Sequence, residues 1–405
     1  MIFYRMPIMM PTASSSPSAA LANLSSPTAF TLPAELQAWG SCALQNDDWD
    51  FWPHASTPAA PSVGGAGWTS LPHLSHLTVT GADAVSFLQG QLTNDVALLP
   101  LNQAQWTGYC SPKGRLLATM LLWKTAGATD AESTVHLLAD TGLVSNLIKR
   151  LRMYVLRAKA TVSQTDDLIL ASWGNLAAIT QHNSQPYQVS HPETGLQCLA
   201  MPLSGQLASS SLWVASQTAL PALVSALQDT PCQASAVWRL ALIGAGIAHI
   251  QAATQEAFVP QIVNYELIGG VNFKKGCYPG QEVVARSQYL GKLKRRMYRY
   301  ATPPTRLSST ERAAISAGID VWHTGETAQP VGRVVNVAAT QRALAAPAAE
   351  PDSVAYELLL EIPTELHHQG GIELRLTAPV ADAPTRRVAL LPLELPYTVP
   401  NPTAA

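Results

Sequence analysis

The 405-residue sequence predicts an α+β protein, two α/β units followed by an antiparallel β-domain, on three observations. Residues 74–164 run strand, helix, strands, helix, strand, the order of a split βαβ sandwich. A similar but weaker pattern covers about 165–232. From about 295 onward short strands are parted by turns, as in a small antiparallel barrel or sandwich. With 47% hydrophobic residues the chain can bury a large core, and its length suits two or three domains.

The elements follow in chain order. Residues 1–35 begin "MIFYRMPIMMPTASSSPSAALANLSSPTAF", an Ala/Ser/Pro composition that cannot bury enough surface to order itself. Arg5 and Pro7 break its apolar stretch, so it lacks the unbroken run of a secretory signal, and it is poorer in Arg than a transit peptide. Met6, Met9 and Met10 leave a later start open. "HASTPAAPSVGGAG" (54–67) reads as a second flexible loop, with order beginning near residue 71. "LSHLTVTG" (74–81) alternates like a strand, and Val85, Leu88 and Leu92 then take helical spacing up to a Gly90 stop. "QWTGYCSPKGRLLATMLLWK" (105–124) is a hairpin about the turn Ser111-Pro112-Lys113-Gly114. A strand at 133–140, an amphipathic helix at 142–155 and a strand in "LRAKATVSQ" complete the unit.

"DLILASWG", "CLAMPL" and "LWVAS" are the strands of the second unit, and "ALPALVSALQD" is its helix. "SAVWRLALIGAGI" (235–247) is apolar enough for a buried helix. "MYRYAT", "QPVGRVVNVAA", "AYELLLEIP" and "IELRLTAP" are the strands of the last domain, with 340–353 a loop inside it.

Composition narrows the function. A net charge of −2 excludes a generally basic nucleic-acid binder, so any anion recognition must be local. Cys42, Cys110, Cys198, Cys232 and Cys277 are odd in number and widely spaced, without CxxC or Cys/His ligand spacing. Neither a disulfide framework nor a metal site is predicted, and scattered thiols suit a reducing cytoplasm. No apolar run is long enough to span a membrane.

"NFKKGCYPGQEVVAR" (272–286) carries the densest chemistry. Lys274 and Lys275 precede Cys277, and cations favour a thiolate. Gly276 and Gly280 imply a tight bend or a close approach, and Glu282 suits a helix amino terminus. The residues leave two readings open, a reactive thiol and a small apolar filler of a turn.

Lys275 to Glu282, K-G-C-Y-x-G-Q-E, resembles the signature of the YgfZ family, folate-binding proteins that support iron–sulfur cluster proteins and are related to the aminomethyltransferase (T-protein) of glycine cleavage. "TGADAVSFLQGQLTNDV" (80–96), "YCSPKGRLLA" (109–118), "EAFVPQIVNYELIGGVNFKKGCYPGQEVVAR" (256–286) and "PVGRVV" (330–335) match family segments in order. The resemblance implies two ferredoxin-like α/β domains and a carboxy-terminal antiparallel β-barrel around a central cavity. On that basis 36–164 with 235–290 form the first α/β domain, 165–234 the second, 291–398 the barrel and 399–405 a tail.

The resemblance also implies roles. Cys277 is the reactive thiol, Lys275 tunes it, and Gln281 and Glu282 shape the site. Trp238, Glu256, Asn264, Tyr278 and Arg286 are the implied contacts of a tetrahydrofolate-type cofactor, and no metal is implied. Three departures stand out. The T-protein carries acidic residues after its Gly-rich turn, whereas "RLLATML" (115–121) has no carboxylate to steer protons at a folate nitrogen. Many relatives have Glu-Ala-Gly where this chain has Gly244-Ala245-Gly246, which removes a carboxylate suited to a pterin edge and leaves Glu256 as its candidate substitute. Position 74 is Leu where some relatives place a ring-contacting tryptophan.

Lys274, Lys275, Arg286, Lys292, Lys294, Arg295, Arg296 and Arg299 form a basic cluster suited to an anion or to a solvated face. Lys149, Arg150, Arg152, Arg157 and Lys159 form a second, read as a helix face and strand end. Aromatics are not interleaved with either, so direct nucleic-acid binding is not expected. The expectation is a cytoplasmic folate-binding accessory protein for iron–sulfur cluster assembly or repair. Its partners are iron–sulfur client or assembly proteins, and its link to tRNA modification runs through iron–sulfur enzymes. The alternatives are a folate-dependent one-carbon transferase and a ligand-free client scaffold.

Overall fold

The computed structural model describes residues 32–45, 48–54, 65–127, 133–174, 185–203, 207, 209–289, 293–325, 328–340, 353–376 and 385–400. Most of the tail assigned to 1–35, most of the loop at 54–67, the loop at 341–352, Lys292 and the last residues 401–405 lie outside them. Order starts earlier than residue 71. Leu32 and Leu36 are buried around helix α1 (Ala34–Gln37), and a hairpin follows, β1 (Gly40–Gln45) with β2 (Asp48–Pro53). Strand β3 (Gly67–Ser70) then pairs with a partner a hundred residues away, a long-range pairing that local periodicity does not reveal.

The first α/β unit forms as the alternation predicts. It comprises β4 (Leu74–Thr80), α2 (Ala84–Gln89), β5 (Ala104–Cys110), β6 (Leu116–Ala126), β7 (Ser133–Asp140), α3 (Thr141–Val155) and β8 (Thr161–Gln164). Its sheet has the order β5-β6-β7-β4-β8, antiparallel throughout. Asp140 caps α3 by accepting from Gly142 N at 3.0 Å. Leu143, Val144, Leu147 and Leu151 form the apolar stripe that α3 buries against the sheet.

The second sheet takes β9 (Leu168–Trp173), β10 (Val189–Glu193), β11 (Leu196–Met201) and β12 (Ser210–Ala215) in the order β10-β11-β12-β9-β3, with α4 (Leu220–Ala226) after it. The apolar segment then forms α5 (Ala236–Gly244), buried through Trp238, Ala241, Leu242 and Ile243. Two short 3-10 turns, 252–254 and 260–263, lead to α6 (Gln281–Tyr289).

The last domain contains β13 (Arg295–Ala301), β14 (Thr305–Arg306), α7 (Ser309–Ala314), β15 (Asp320–His323), β16 (Gly332–Thr340), β17 (Ser353–Pro363), α8 (Thr364–Gln369), β18 (Ile372–Leu376), β19 (Arg386–Ala389) and β20 (Leu391–Leu393). Their order is β19-β18-β15-β16-β17-β13-β20, with β14 beside β17. The two edge strands are parted in the chain by Leu390 alone, so the sheet curls into a nearly closed barrel. Alternation divides its side chains. Tyr298, Val334, Leu358 and Leu360 fill the barrel, while Met297, Val335 and Leu359 join the main core. The fold is the one the sequence predicts, with few helices.

Candidate functional site

The motif sits on a platform built by the loop after α2. Gln89 Oε1 accepts from Val96 N at 2.7 Å and Ala97 N at 3.1 Å, which closes that loop on itself. Thr93 Oγ1 donates to Gly270 O and accepts from Gly108 N, each at 2.7 Å. Asn94 Nδ2 donates to Trp106 O at 2.8 Å and Gly269 O at 2.7 Å, and Asn272 N donates to Thr93 O at 3.0 Å. The approach to the motif is thereby stitched to β5. Sequence reading gave no role to Gln89, Thr93 or Asn94. The available signal was the polar run Thr93-Asn94-Asp95 between Leu92 and Val96, of which Thr93 and Asn94 are buried.

Lys275 points inward. Its ammonium donates to Gln89 O, at the end of α2, and, at 2.7 Å, to Leu92 O in the loop beyond it. It also lies 4.9 Å from the centroid of the Tyr278 ring. Burial pulls Lys275 down to about 8, opposed by the charges of Asp95 and Cys277. Tyr278 is buried, and desolvation raises its phenol. Cys277, between these two inward side chains, is exposed. Cys110, Cys198 and Cys232 are buried and Cys42 is half-buried. Burial pushes the thiols of Cys42, Cys110 and Cys232 up to about 12. Of the two readings left open by the residues, the apolar filler does not describe an exposed side chain.

The motif glycines have separate explanations. Gly280 has φ +80°, and a Cβ on it would overlap Ser111 O and come within 2.6 Å of Gly114 Cα. Gly114, at φ +71°, would place a Cβ 2.8 Å from Val283 Cβ. The hairpin turn and the motif turn therefore pack backbone to backbone. Nothing lies within 4 Å of a Cβ built on Gly276. Beyond Gly280 the chain enters α6, with Glu282 in its first turn and Arg286 in its last. Gln281 is half-buried, whereas Glu282 and Arg286 are exposed.

The other implied residues lie apart. Trp238 is 1% exposed and belongs to the core at the start of α5. Asn264 is buried in a left-handed turn, φ 56°, where its Nδ2 donates to Met297 O at 2.7 Å and ties 260–264 to the barrel. Glu256 is exposed, also at positive φ, and its backbone N donates to Leu116 O at 2.8 Å. The group nearest a Cβ on Gly244 is the guanidinium of Arg299, 3.7 Å away. That guanidinium is held by Glu357, with Nε to Oε2 at 2.9 Å.

A small cavity of about 30 Å³ lies under α5. Arg239, Leu242 and Ile243 of α5 line it with His73, His249, Asn336 and Val337. His73 is held well below its usual value, chiefly by burial and then by Arg239 and His249, so its ring is neutral. Its Nδ1 is buried without a hydrogen-bond partner. His249 Nε2 lies 3.1 Å from Asp140 Oδ2, and Asn336 clamps the His249 backbone at 2.9 and 2.7 Å. An apolar wall with a few convergent polar groups has the chemistry of a small-molecule site. The volume holds about one water, against roughly 300 Å³ or more for a drug-sized ligand. A tetrahydrofolate-type group fits these residues in polarity and not in size as they stand.

The first basic cluster separates in space. Arg295, Arg296 and Arg299 are neutralised by Glu361, Glu266 and Glu357 respectively, and Lys275 is used internally. Lys274, Arg286 and Lys294 remain exposed. In the second cluster Arg152 donates to Val162 O at 2.7 Å. Among the described residues no group of His, Cys, Asp and Glu side chains is arranged to hold a metal ion. No helix among them is long and apolar enough to cross a membrane.

No family model matches the chain. It is 33% identical over 233 residues, 56% of this chain and 68% of the relative, to the tRNA-modifying protein YgfZ of Vibrio vulnificus strain CMCP6. It is 31% identical over 254 residues to the YgfZ of strain YJ016, covering 75% of that protein. With the YgfZ of Yersinia pseudotuberculosis strain IP 31758 it shares 29% over 293 residues, 70% of this chain and 84% of the relative. Among solved structures, the glycine cleavage system aminomethyltransferase T from Bartonella henselae superposes with a TM-score of 0.63. That match covers 89% of this chain and 95% of that one at 16% identity, a likeness of fold alone. Identity above 30% across two thirds or more of a relative's length settles the relationship: the chain belongs to the family of the tRNA-modifying protein YgfZ.

Proposed function

We propose that this protein is a cytoplasmic accessory factor for iron–sulfur cluster assembly or repair, supporting tRNA modification by iron–sulfur enzymes, and that it works through Cys277. One observation carries the reading. Cys277 is the exposed cysteine of the five, on a turn fixed from below by Lys275 and from the side by the Gly114–Gly280 contact. A thiol so placed can meet a group borne by another protein, and the turn beneath it is held in one geometry.

A tetrahydrofolate-type ligand is part of the proposal, and the cavity under α5 is its site. His73, Arg239 and Asn336 would supply hydrogen bonds there, and Leu242 and Ile243 an apolar wall. At about 30 Å³ the cavity takes a ring system only if it widens. Aminomethyl transfer is not part of the proposal, because Leu116 and Leu117 occupy the positions where an acid would act and both are buried.

The test is complementation. In a strain lacking the protein, Cys277→Ser is expected to leave iron–sulfur enzyme activity unrestored, and full restoration refutes the role of the thiol. Calorimetric titration with tetrahydrofolate, beside a cavity-filling Val337→Phe variant, tests the ligand. Binding lost in the variant supports the cavity, and no binding by the parent protein favours a ligand-free scaffold.

A further inference from the structure

The cations around Cys277 differ from those of the barrel. Arg295, Arg296, Arg299, Arg375 and Arg386 each reach a carboxylate. Lys113, Arg150, Lys274 and Arg286 are exposed and, among the described residues, make no ion pair. They come from separate segments that the fold gathers. Lys113 stands in the turn that touches Gly280, and Arg286 lies on α6, whose Val283 touches Gly114. Arg150 and Tyr154 stand on α3, near enough to Tyr109 of β5 for their charges to act on it. Glu256 and Glu282 are the exposed carboxylates of the adjoining segments and Asp95 is half-buried beside Lys275, fewer than the cations, on a chain whose net charge is −2.

Apolar surface accompanies the charge. Val283 is 39% exposed and Tyr289 69%, and the Tyr289 ring meets Phe273 edge-on at 6.1 Å. Tyr154 is exposed as well.

We propose that this face is a docking surface for an acidic protein surface, with Cys277 presented within it. Exposed cations free of ion pairs leave their charge available to an anionic partner, and charge complementarity sets orientation and on-rate. Arginine beside aromatic and aliphatic side chains is the composition of a protein interface. A nucleic-acid strand would instead need cations along a continuous track with stacking rings between them. The inference rests on the proposed function in treating Cys277 as the working thiol, but the docking itself does not need the sulfur.

The test uses the full chain and an oligoglutamate peptide as probe. The peptide is expected to bind with a salt-sensitive affinity and to slow alkylation of Cys277. A Lys113→Glu/Arg286→Glu double variant is expected to bind roughly tenfold more weakly, since each exposed ion pair contributes a few-fold at most. Arg333→Glu, on the barrel, and Cys277→Ser are expected to bind like the parent. Equal affinity of the double variant and Arg333→Glu overturns the proposal, as does tighter binding of a single-stranded RNA of equal charge to the same face. Intact docking in Cys277→Ser together with full complementation by it would refute the thiol and leave the surface standing.

Discussion

Gly114 and Gly280 meet without room for a side chain on either: a Cβ on Gly280 would lie 2.6 Å from Gly114 Cα, and one on Gly114 would lie 3.1 Å from Gly280 O. Two turns far apart in sequence are thus pressed together at the backbone, and the turn bearing Cys277 inherits its position from the hairpin. Gly280→Ala is expected to combine left-handed strain with a backbone overlap and to cost about 2–4 kcal/mol. Thermal unfolding measures the loss, and the alkylation rate of Cys277 reports the displaced turn.

Gly244→Ala should do the opposite. Its φ is not in the left-handed region, and the added Cβ meets Arg299 at an ordinary 3.7 Å. Replacing a helical glycine is expected to raise stability by about 0.5–1 kcal/mol, read as a shift in the denaturant midpoint.

Lys275→Met keeps the length of the side chain and removes the ammonium. The carbonyls of Gln89 and Leu92 then lose their donor. An expected cost of about 1–3 kcal/mol follows from the unsatisfied acceptors, and denaturant unfolding measures it. If the ammonium made no structural bond, stability would not change.

Acid should unfold this protein early. Burial, then the charges of His76 and His191, lowers His136 to about 3, and burial followed by His368 lowers His367 to about 4. His73 is lowered as well. Between these values and the ordinary histidine value near 6.5 the unfolded chain binds more protons than the folded one, so stability falls as pH falls through that window. The slope is at most about 1.4 kcal/mol per pH unit for each group. His136→Phe is expected to flatten the profile between pH 6.5 and 4, measured by urea unfolding across pH. An unchanged slope would show that His136 is charged in the fold.

Trp238→Ala is expected to remove about 3–5 kcal/mol of stability, because the indole lies within the main core. Loss of ligand binding in that variant would therefore report on the fold, which is why the cavity is better tested at Val337.

The strands and helices from 74 to 164 were legible because alternation and helical spacing are local signals, and the register confirms them, as in Trp123 opposite His136. The β1–β2 hairpin and β3 were not, because their flanks are composition-poor and β3 finds its partner only at Leu170–Trp173. Within the candidate site, the K-G-C-Y-x-G-Q-E signature drew attention to Cys277, but not to the inward turn of Lys275 or to the hydrogen bonds of Thr93 and Asn94. Those depend on which backbone groups the fold leaves unpaired. The basic run near 295 misled for the same reason, since Glu266, Glu357 and Glu361 come from distant positions to neutralise it.

The barrel's two rim strands, β19 and β20, are separated by a single residue. A sheet whose first and last strands are consecutive in the chain brings its two edges together instead of turning them outward, so among the described residues of this domain a second molecule finds no long open edge on which to add a strand. At high concentration the domain should therefore resist the strand-by-strand assembly by which open sheets precipitate, a quality suited to a protein whose work is to meet others briefly and let them go.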